Sequence, residues 1–459
     1  MLKSIEKTSY LVSESDSTAS FKDRVLNNDP QIVFVTDSEH RLVGSITPGD
    51  LERYQKVGGS LEIPAVDCMC SNPVIIHQGE QRRNVIRLFD QKVHAIPEVD
   101  DMGRLISVIT VNDYKFPNFQ SIVARSKSPV RISFSGGGTD LSYYFSQNGG
   151  MVLNTTICKY AHATLVKRQD SKIIIYSGDY DIQEEIGSID EIDYKGDLAL
   201  IKAVIKLLQP EFGFNLITFS EVPPGSGLGG SSVIASAIIG CFNKFRDDEL
   251  TPHEIAELAF QAERIELGIQ GGWQDQYATV FGGFNFIEFS KDDTVVHPLR
   301  LHAGALNELE SNLILCYSGK SRNSGTMHEK QAQNFQKNKK EMLPMMQESK
   351  AIATEMKNCL LKGNITEFGR LVDRAWFLKK QYSSSISDSS LDKIYQLAKD
   401  NGALGGKILG AGGGGYFLFC VKSLHRNRLE NSLREIGLTT EPVSFDKIGL
   451  RSWITKERY

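Results

Sequence analysis

Residues 223–232 read PPGSGLGGSS. They lie between a short alternating run at 215–220 (NLITFS) and a segment, 231–245, in which Ile234, Ile238, Cys241, Phe242 and Phe245 recur at helical spacing. The order is therefore strand, glycine loop, helix. Gly225, Gly227, Gly229 and Gly230 let the backbone approach a ligand closely and turn its N–H groups inward. The following helix adds unpaired N–H groups and the positive end of its dipole. A phosphate is thus the natural occupant of a cradle made by Pro224, Gly225, Ser226, Gly227, Leu228, Gly229, Gly230, Ser231 and Ser232. Ser231 and Ser232 fall in the first helical turn, where a hydroxyl reaches a phosphate oxygen or a magnesium ion. No lysine stands where GxxxxGK[ST] needs one, and the pattern does not fit GxGxxG, so neither common nucleotide loop is present. Alone, the stretch also reads as a glycine-rich turn before a core helix. Distant motifs decide between the two.

The length of 459 residues fits two to four domains, and 24% charged with 41% hydrophobic residues is ordinary globular composition. A net charge of −4 gives no general attraction to nucleic acid or to an anionic membrane, so neither is expected as a partner. The seven cysteines are scattered, and Cys68-Met-Cys70 lacks both the spacing and the second pair of a zinc knuckle. Reduced thiols in a cytoplasmic protein are expected. The opening MLKSIEKTSY has no apolar signal core, and no apolar run reaches 18 residues.

An internal repeat occupies the first 120 residues. DSEHRLVGSITPGD (37–50) and DDMGRLISVITVND (100–113) match at an offset of 63, pairing Asp37 with Asp100, Arg41 with Arg104, Leu42 with Leu105, Ile46 with Ile109, Thr47 with Thr110 and Asp50 with Asp113. Each copy reads as strand, turn, strand and a helix start, and 81–89 as an amphipathic helix. This resembles a tandem CBS-domain pair. The resemblance implies adenine-nucleotide contacts from Thr47, Asp50, Thr110 and Asp113, although Ser107 replaces the glycine kept at Gly44. Thr followed by Asp is also good helix-start chemistry without any ligand, so a scaffold or dimerisation role stays open. Residues 114–127 read as the linker onward.

Beyond it, a strand at 131–134 runs into Ser135-Gly136-Gly137-Gly138-Thr139-Asp140, where an aspartate on a tight turn is placed for sugar hydroxyls or for an ordinary Asx turn. The helical stretch 252–267 carries Glu254, Glu257, Glu263 and Glu266; Asp275 follows Glu263 by twelve residues across the break Gly271-Gly272. Two carboxylates brought to one pocket there divide naturally into a magnesium ligand and a group that orients or accepts a hydroxyl proton. Gly319-Lys320-Ser321-Arg322 suits a phosphate monoester, with Arg322 bidentate and Lys320 a point charge, or else is loop charge. Residues 407–415, KILGAGGGG, place bare backbone against a neighbour.

Residues 128–140, 223–232 and 407–419, in that order, resemble the three motifs of the GHMP small-molecule kinases, over about residues 126 to 456. The resemblance implies an α+β fold, a ribosomal S5 domain 2-like half (121–310) joined to a ferredoxin-like half (311–459), after the CBS-like segment (1–120). It implies ATP and Mg²⁺ as cofactors, with the phosphates on 224–232 and magnesium on Ser231 and Glu263. Asp275 becomes the catalytic aspartate and Arg131 the basic group at the reacting hydroxyl. Gly137, Gly138, Thr139, Asp140, Gly272, Lys320, Arg322, Gly413 and Gly414 become the substrate set. Gly137-Gly138 in place of Glu-His, and Gly230 in place of the first serine of GLGSS, argue against galactokinase. They fit the D-glycero-D-manno-heptose 7-phosphate kinase branch better, with a phosphosugar substrate and a homodimer expected. A fucose-type sugar-1-kinase and a sensor that lost turnover are the alternatives.

Overall fold

The computed structural model describes residues 9–56, 62–111, 121–321 and 324–457. The chain divides into two compact units, Met1–Asn118 and Phe119–Tyr459. The first holds two three-stranded sheets of the same plan. In one, strand Leu11–Ser13 runs parallel to Val33–Thr36, which pairs antiparallel with Leu42–Ile46; in the other, Ile76–His77, Ala95–Val99 and Leu105–Thr110 repeat the arrangement.

The 63-residue offset has a local cause. Asp37 Oδ1 accepts from the backbone N–H groups of Glu39 and Arg41, and Asp100 Oδ1 from those of Met102 and Arg104, so each copy turns on the same Asx geometry. The turn residues His40 and Gly103 both take positive φ, and the two copies exchange bonds there, Leu42 N to Gly103 O and Leu105 N to His40 O. Thr47 Oγ1 donates to Asp50 Oδ2 at 2.6 Å at the start of helix Pro48–Lys56, the helix-start chemistry of the first copy; Asp113 lies outside the described residues.

The second unit is built on a nine-stranded mixed sheet and a four-stranded antiparallel one. Long strands Ser121–Ser135 and Gly150–Lys167 pair along most of their length. Thus 121–127 is not linker: it pairs in register with Arg451–Glu457, and Val123 and Ala124 are fully buried. The final strands Phe445–Asp446 and Arg451–Glu457 also belong to this first sheet, so the expected half 311–459 returns to its partner at its end. The run Phe445–Asp446 is buried against Thr156 and Ile157, and that pairing outweighs position in the chain.

Behind the large sheet lie helices Ala199–Leu208, Gly230–Asn243, Pro252–Gln261 and Gln274–Phe281. Helix Gly230–Asn243 is buried nearly all round. Its Val233, Ile238, Ile239 and Phe242 each contribute roughly 1.5–3 kcal/mol by leaving water. That burial fixes the helix, and so fixes the glycine loop at its N-terminus. Helix Pro252–Gln261 starts with a capping box, Thr251 with Glu254, and Pro252 at its first position. It passes into a π-helical turn, Ala262–Glu266, that carries Glu263. The four-stranded sheet (Leu313–Tyr317, Ala403–Ile408, Tyr416–Val421, Thr440–Pro442) is covered by Ile365–Lys380 and Ser389–Asp400, while Lys339–Leu361 packs between Ile365–Lys380 and the two long strands of the large sheet. No helix among the described residues is long and apolar enough to cross a membrane.

Candidate active site

A cavity of about 480 Å³ opens where the three glycine segments meet. The loop reaches it as strand Phe214–Ser220 ends and helix Gly230–Asn243 begins, with Gly229 left-handed as N-cap. Pro224, Gly225, Ser226, Gly227, Gly229, Gly230 and Ser231 line it; Leu228 and Ser232 are buried behind. Ser226 O accepts from Tyr416 N, Gly227 O from Arg131 Nη1 (2.6 Å), Leu228 O from Arg131 N and Gly229 O from Val233 N. The N–H groups of Gly227, Leu228 and Gly229 meet no protein acceptor among the described residues.

The third glycine segment packs on the first loop: a Cβ on Gly410 would fall 2.7 Å from Gly227 Cα, and both residues hold positive φ. Gly414 lines the cavity, whereas Gly413 faces away and donates to Ile386 O.

Beneath Gly229, Arg131 and Asp275 form a two-pronged ion pair, Nε to Oδ1 at 2.7 Å and Nη2 to Oδ2 at 2.6 Å. Burial pushes the Asp275 carboxyl up, but the Arg131 guanidinium outweighs it and holds the group below the usual carboxylate range. Asp140 differs. Burial, reinforced by the charge of Asp275, pushes its carboxyl up. Its Oδ1 accepts from Gly138 N (2.9 Å) and its Oδ2 from Gln274 N (3.3 Å), while Trp273 N donates to Asp140 O. Trp273 stacks on Phe260 with ring centroids 3.8 Å apart, which seats the segment carrying Asp275 against the Asp140 turn. Gly272 is required there, since a Cβ would lie 1.8 Å from Asp140 Oδ2. Gly137, Gly138, Asp140 and Gly272 line the cavity; Thr139 instead braces the turn, donating to Gly136 O.

The two expected magnesium residues lie at different depths, Ser231 on the cavity wall and Glu263 behind it. Glu263 is fully buried, and its Oε2 accepts from Ser232 Oγ (2.8 Å) and from Gln276 Nε2, so the serine bonded to it is Ser232 while Ser231 faces the cavity. One residue along a helix is a rotation of about 100°, and the left-handed N-cap at Gly229 sets which serine points inward. Glu263 Oε1 is buried without a hydrogen-bond partner, an orphan that fits a cation. Among the described residues no three acidic, histidine or cysteine side chains could hold a metal by themselves. Magnesium characteristically uses one or two carboxylates and completes its shell with phosphate oxygens and water.

Lys320, in turn, does not line the cavity. Its Nζ bonds Asp388 Oδ2 at 2.7 Å, because Asp388 caps helix Ser389–Asp400 beside it. Arg322 lies outside the described residues. Arg264, Lys379 and Lys407 also line the cavity, as does His328, and no local motif marks any of the four as a ligand contact. Burial and the neighbouring Arg264 depress the His328 imidazole to about 4.

Residues 199–283 match the family described as GHMP kinases N terminal domain, and residues 356–437 the one described as GHMP kinases C terminal. The chain is 38% identical over 335 residues to a D-glycero-alpha-D-manno-heptose 7-phosphate kinase of Campylobacter jejuni, an alignment covering 72% of this chain and 98% of that protein. It is 30% identical over 338 residues to an L-fucokinase/L-fucose-1-P guanylyltransferase of Bacteroides fragilis, of which it covers 35%. Among solved structures, a D-glycero-D-manno-heptose 1-phosphate kinase from Bacteroides thetaiotaomicron superimposes with a TM-score of 0.61 at 30% identity, over 72% of this chain and 98% of that one.

Proposed function

The chain belongs to the GHMP kinase family and is an ATP-dependent sugar kinase, and from that premise we propose that it phosphorylates the anomeric hydroxyl of D-glycero-D-manno-heptose 7-phosphate, giving the 1,7-bisphosphate. The observation that carries this reading is the meeting, in one cavity, of a phosphate-cradling loop, the Arg131–Asp275 pair and the Asp140 turn. The loop amides of 227–229 would hold the nucleotide phosphates. Asp140 and its glycine turn would take the sugar hydroxyls.

Phosphoryl transfer asks mainly for alignment and charge balance, not for a strong base. A carboxylate held in a tight guanidinium pair is a poor proton acceptor, so Asp275 would orient the attacking hydroxyl, and Arg131 would fix Asp275 and tie it to the loop through Gly227 O. Glu263 and Ser231 are the residues that would hold Mg²⁺, which when bound supplies positive charge to the phosphate oxygens.

The test is ADP release across a sugar panel. Turnover confined to heptose 7-phosphate supports the reading; turnover with L-fucose or another unphosphorylated sugar moves it to a sugar-1-kinase. That rival has one observation in its favour, the engagement of Lys320 by Asp388. No turnover with any sugar would mark a sensor.

For the first unit we propose a CBS-type module that binds an adenine nucleotide. Thr47 and Thr110, matched in the repeat, both line one cavity of that unit, with Pro48, His94 and Ala95. Calorimetry with AMP on the full chain, repeated on Thr47→Val/Thr110→Val, tests it. Identical heats would leave a scaffold or dimerisation role.

A further inference from the structure

Two lysines of the cavity wall have no part in the chemistry above. Lys407 sits in the strand Ala403–Ile408, 4% exposed, and its Nζ donates to Phe134 O at 2.8 Å. Lys379 lies in the last turn of helix Ile365–Lys380, partly buried, and its Nζ donates to Gly410 O. An ammonium has three N–H donors, so the single protein acceptor that each is seen to engage leaves donors over. Among the described residues neither has a carboxylate within ion-pair distance, unlike Lys202, another buried lysine, which reaches both Glu184 and Asp193. Burial first, then the charge of Arg131, lowers the proton affinity of the Lys379 ammonium, which Asp140 and Asp275 partly restore; burial, then Lys379, then Arg131 lowers that of Lys407. Two lysines in one cavity wall, each without an ion-pair partner and with donors left over, form a ready seat for an anion.

We propose that Lys379 and Lys407 seat the phosphate monoester that the sugar itself carries, the role that Lys320 is not free to fill. The proposal rests on the phosphosugar-kinase reading. The nucleotide's phosphates already have the loop amides and the N-terminus of helix Gly230–Asn243. Lys407 is bonded instead to the strand that delivers the Gly136–Asp140 sugar turn, three residues before Gly137. Ser133, Ser135 and Gln331 line the same cavity and supply neutral donors.

The test uses the full chain and two variants, Lys407→Met and Lys379→Met, which keep volume and remove charge. Inorganic phosphate is titrated calorimetrically with a non-hydrolysable ATP analogue and magnesium saturating, so that the nucleotide site is filled. Each variant is expected to weaken phosphate binding roughly ten- to hundred-fold, the scale of a lost charge-assisted hydrogen bond. The KM for heptose 7-phosphate should rise alongside it, with the KM for ATP within twofold. Unliganded melting temperatures should hold or rise, since a buried unpaired charge is removed, and a merely structural role would lower them. Phosphate affinity and phosphosugar KM both unchanged within twofold would overturn the proposal, as would a rise in the ATP KM instead. If the wild type binds phosphate and the variants do not, yet no heptose phosphate is turned over, the anion seat stands and the heptose reading falls. Should Lys407→Met fail to fold, Lys379→Met carries the same comparison.

Discussion

Removing one partner of the Arg131–Asp275 pair leaves the other charged in a place built for two. The side chains are 4% and 19% exposed and share two bonds of 2.7 and 2.6 Å. Breaking such a pair from one side costs about 3–5 kcal/mol when both ends are buried. Because Asp275 keeps some access to water, the low end, about 3 kcal/mol, applies to Asp275→Ala or Arg131→Met. The double variant leaves no orphan charge. It should therefore fall short of the sum of the singles by about 2–3 kcal/mol of coupling. Urea unfolding of the four proteins, without ligand, measures this. Coupling below about 0.5 kcal/mol would refute the reasoning, because the contact would then carry no more than independent sites do. Asp275→Asn, which keeps the shape and an acceptor but loses the charge that holds Arg131, should lose roughly 10²-fold in kcat, the scale of lost positioning, with the phosphosugar KM little changed. Activity within threefold of wild type would remove Asp275 from the chemistry.

Lys320→Met should shift stability by less than about 1 kcal/mol and leave the phosphosugar KM nearly unchanged, because its partner is a half-exposed Asp388; a large rise in KM would restore the original assignment. Gly272→Ala drives a methyl into Asp140, at about 1–3 kcal/mol of overpacking. It should raise the sugar KM several-fold or more while sparing that for ATP, and equal effects on both would contradict it. His328, depressed to about 4 against an ordinary 6.5, stays neutral in the fold while the unfolded chain takes up a proton. Its contribution is complete above pH 6.5 and is lost as pH falls toward 4, about 3 kcal/mol in all. His328→Asn should flatten urea stability across that window, and an unchanged slope would exclude His328 as the source.

What the sequence made legible was what local chemistry writes into consecutive residues. The loop at 224–231, the Asp140 turn, Arg131 and Asp275 each carry a signal in their own neighbourhood, and so does the Asx turn repeated at Asp37 and Asp100. What it hid was set by distant partners. Lys320 among Gly319, Ser321 and Arg322 looks like a phosphate contact until Asp388 arrives from 68 residues away. Lys379 stands beside Lys380 at a helix end, where two lysines read as a solvated face. Lys407 did leave a trace, a charged residue inside the buried run ALGGKI. Residues 121–127 looked like linker because their partner, Arg451–Glu457, lies more than 320 residues on, and no local period announces a pairing at that range.

The satisfied carbonyls of the glycine loop explain how it manages without a lysine. A peptide chain is normally ambivalent, offering a lone pair for every proton it presents. Across four successive residues this loop has its oxygens turned outward and engaged, by Tyr416, by Arg131 twice and by Val233, while three of its amides meet no acceptor among the described residues. Along 226–229 the cavity consequently meets the donor half of the backbone. Its preference for anions arises by subtraction, from groups that carry no net charge, and so it should resist salt better than a surface lysine would. Arg131 sets that polarity from below through its main chain and its side chain together, so a substitution there would keep the bond to Leu228 O but release the Gly227 carbonyl as well as removing a cation.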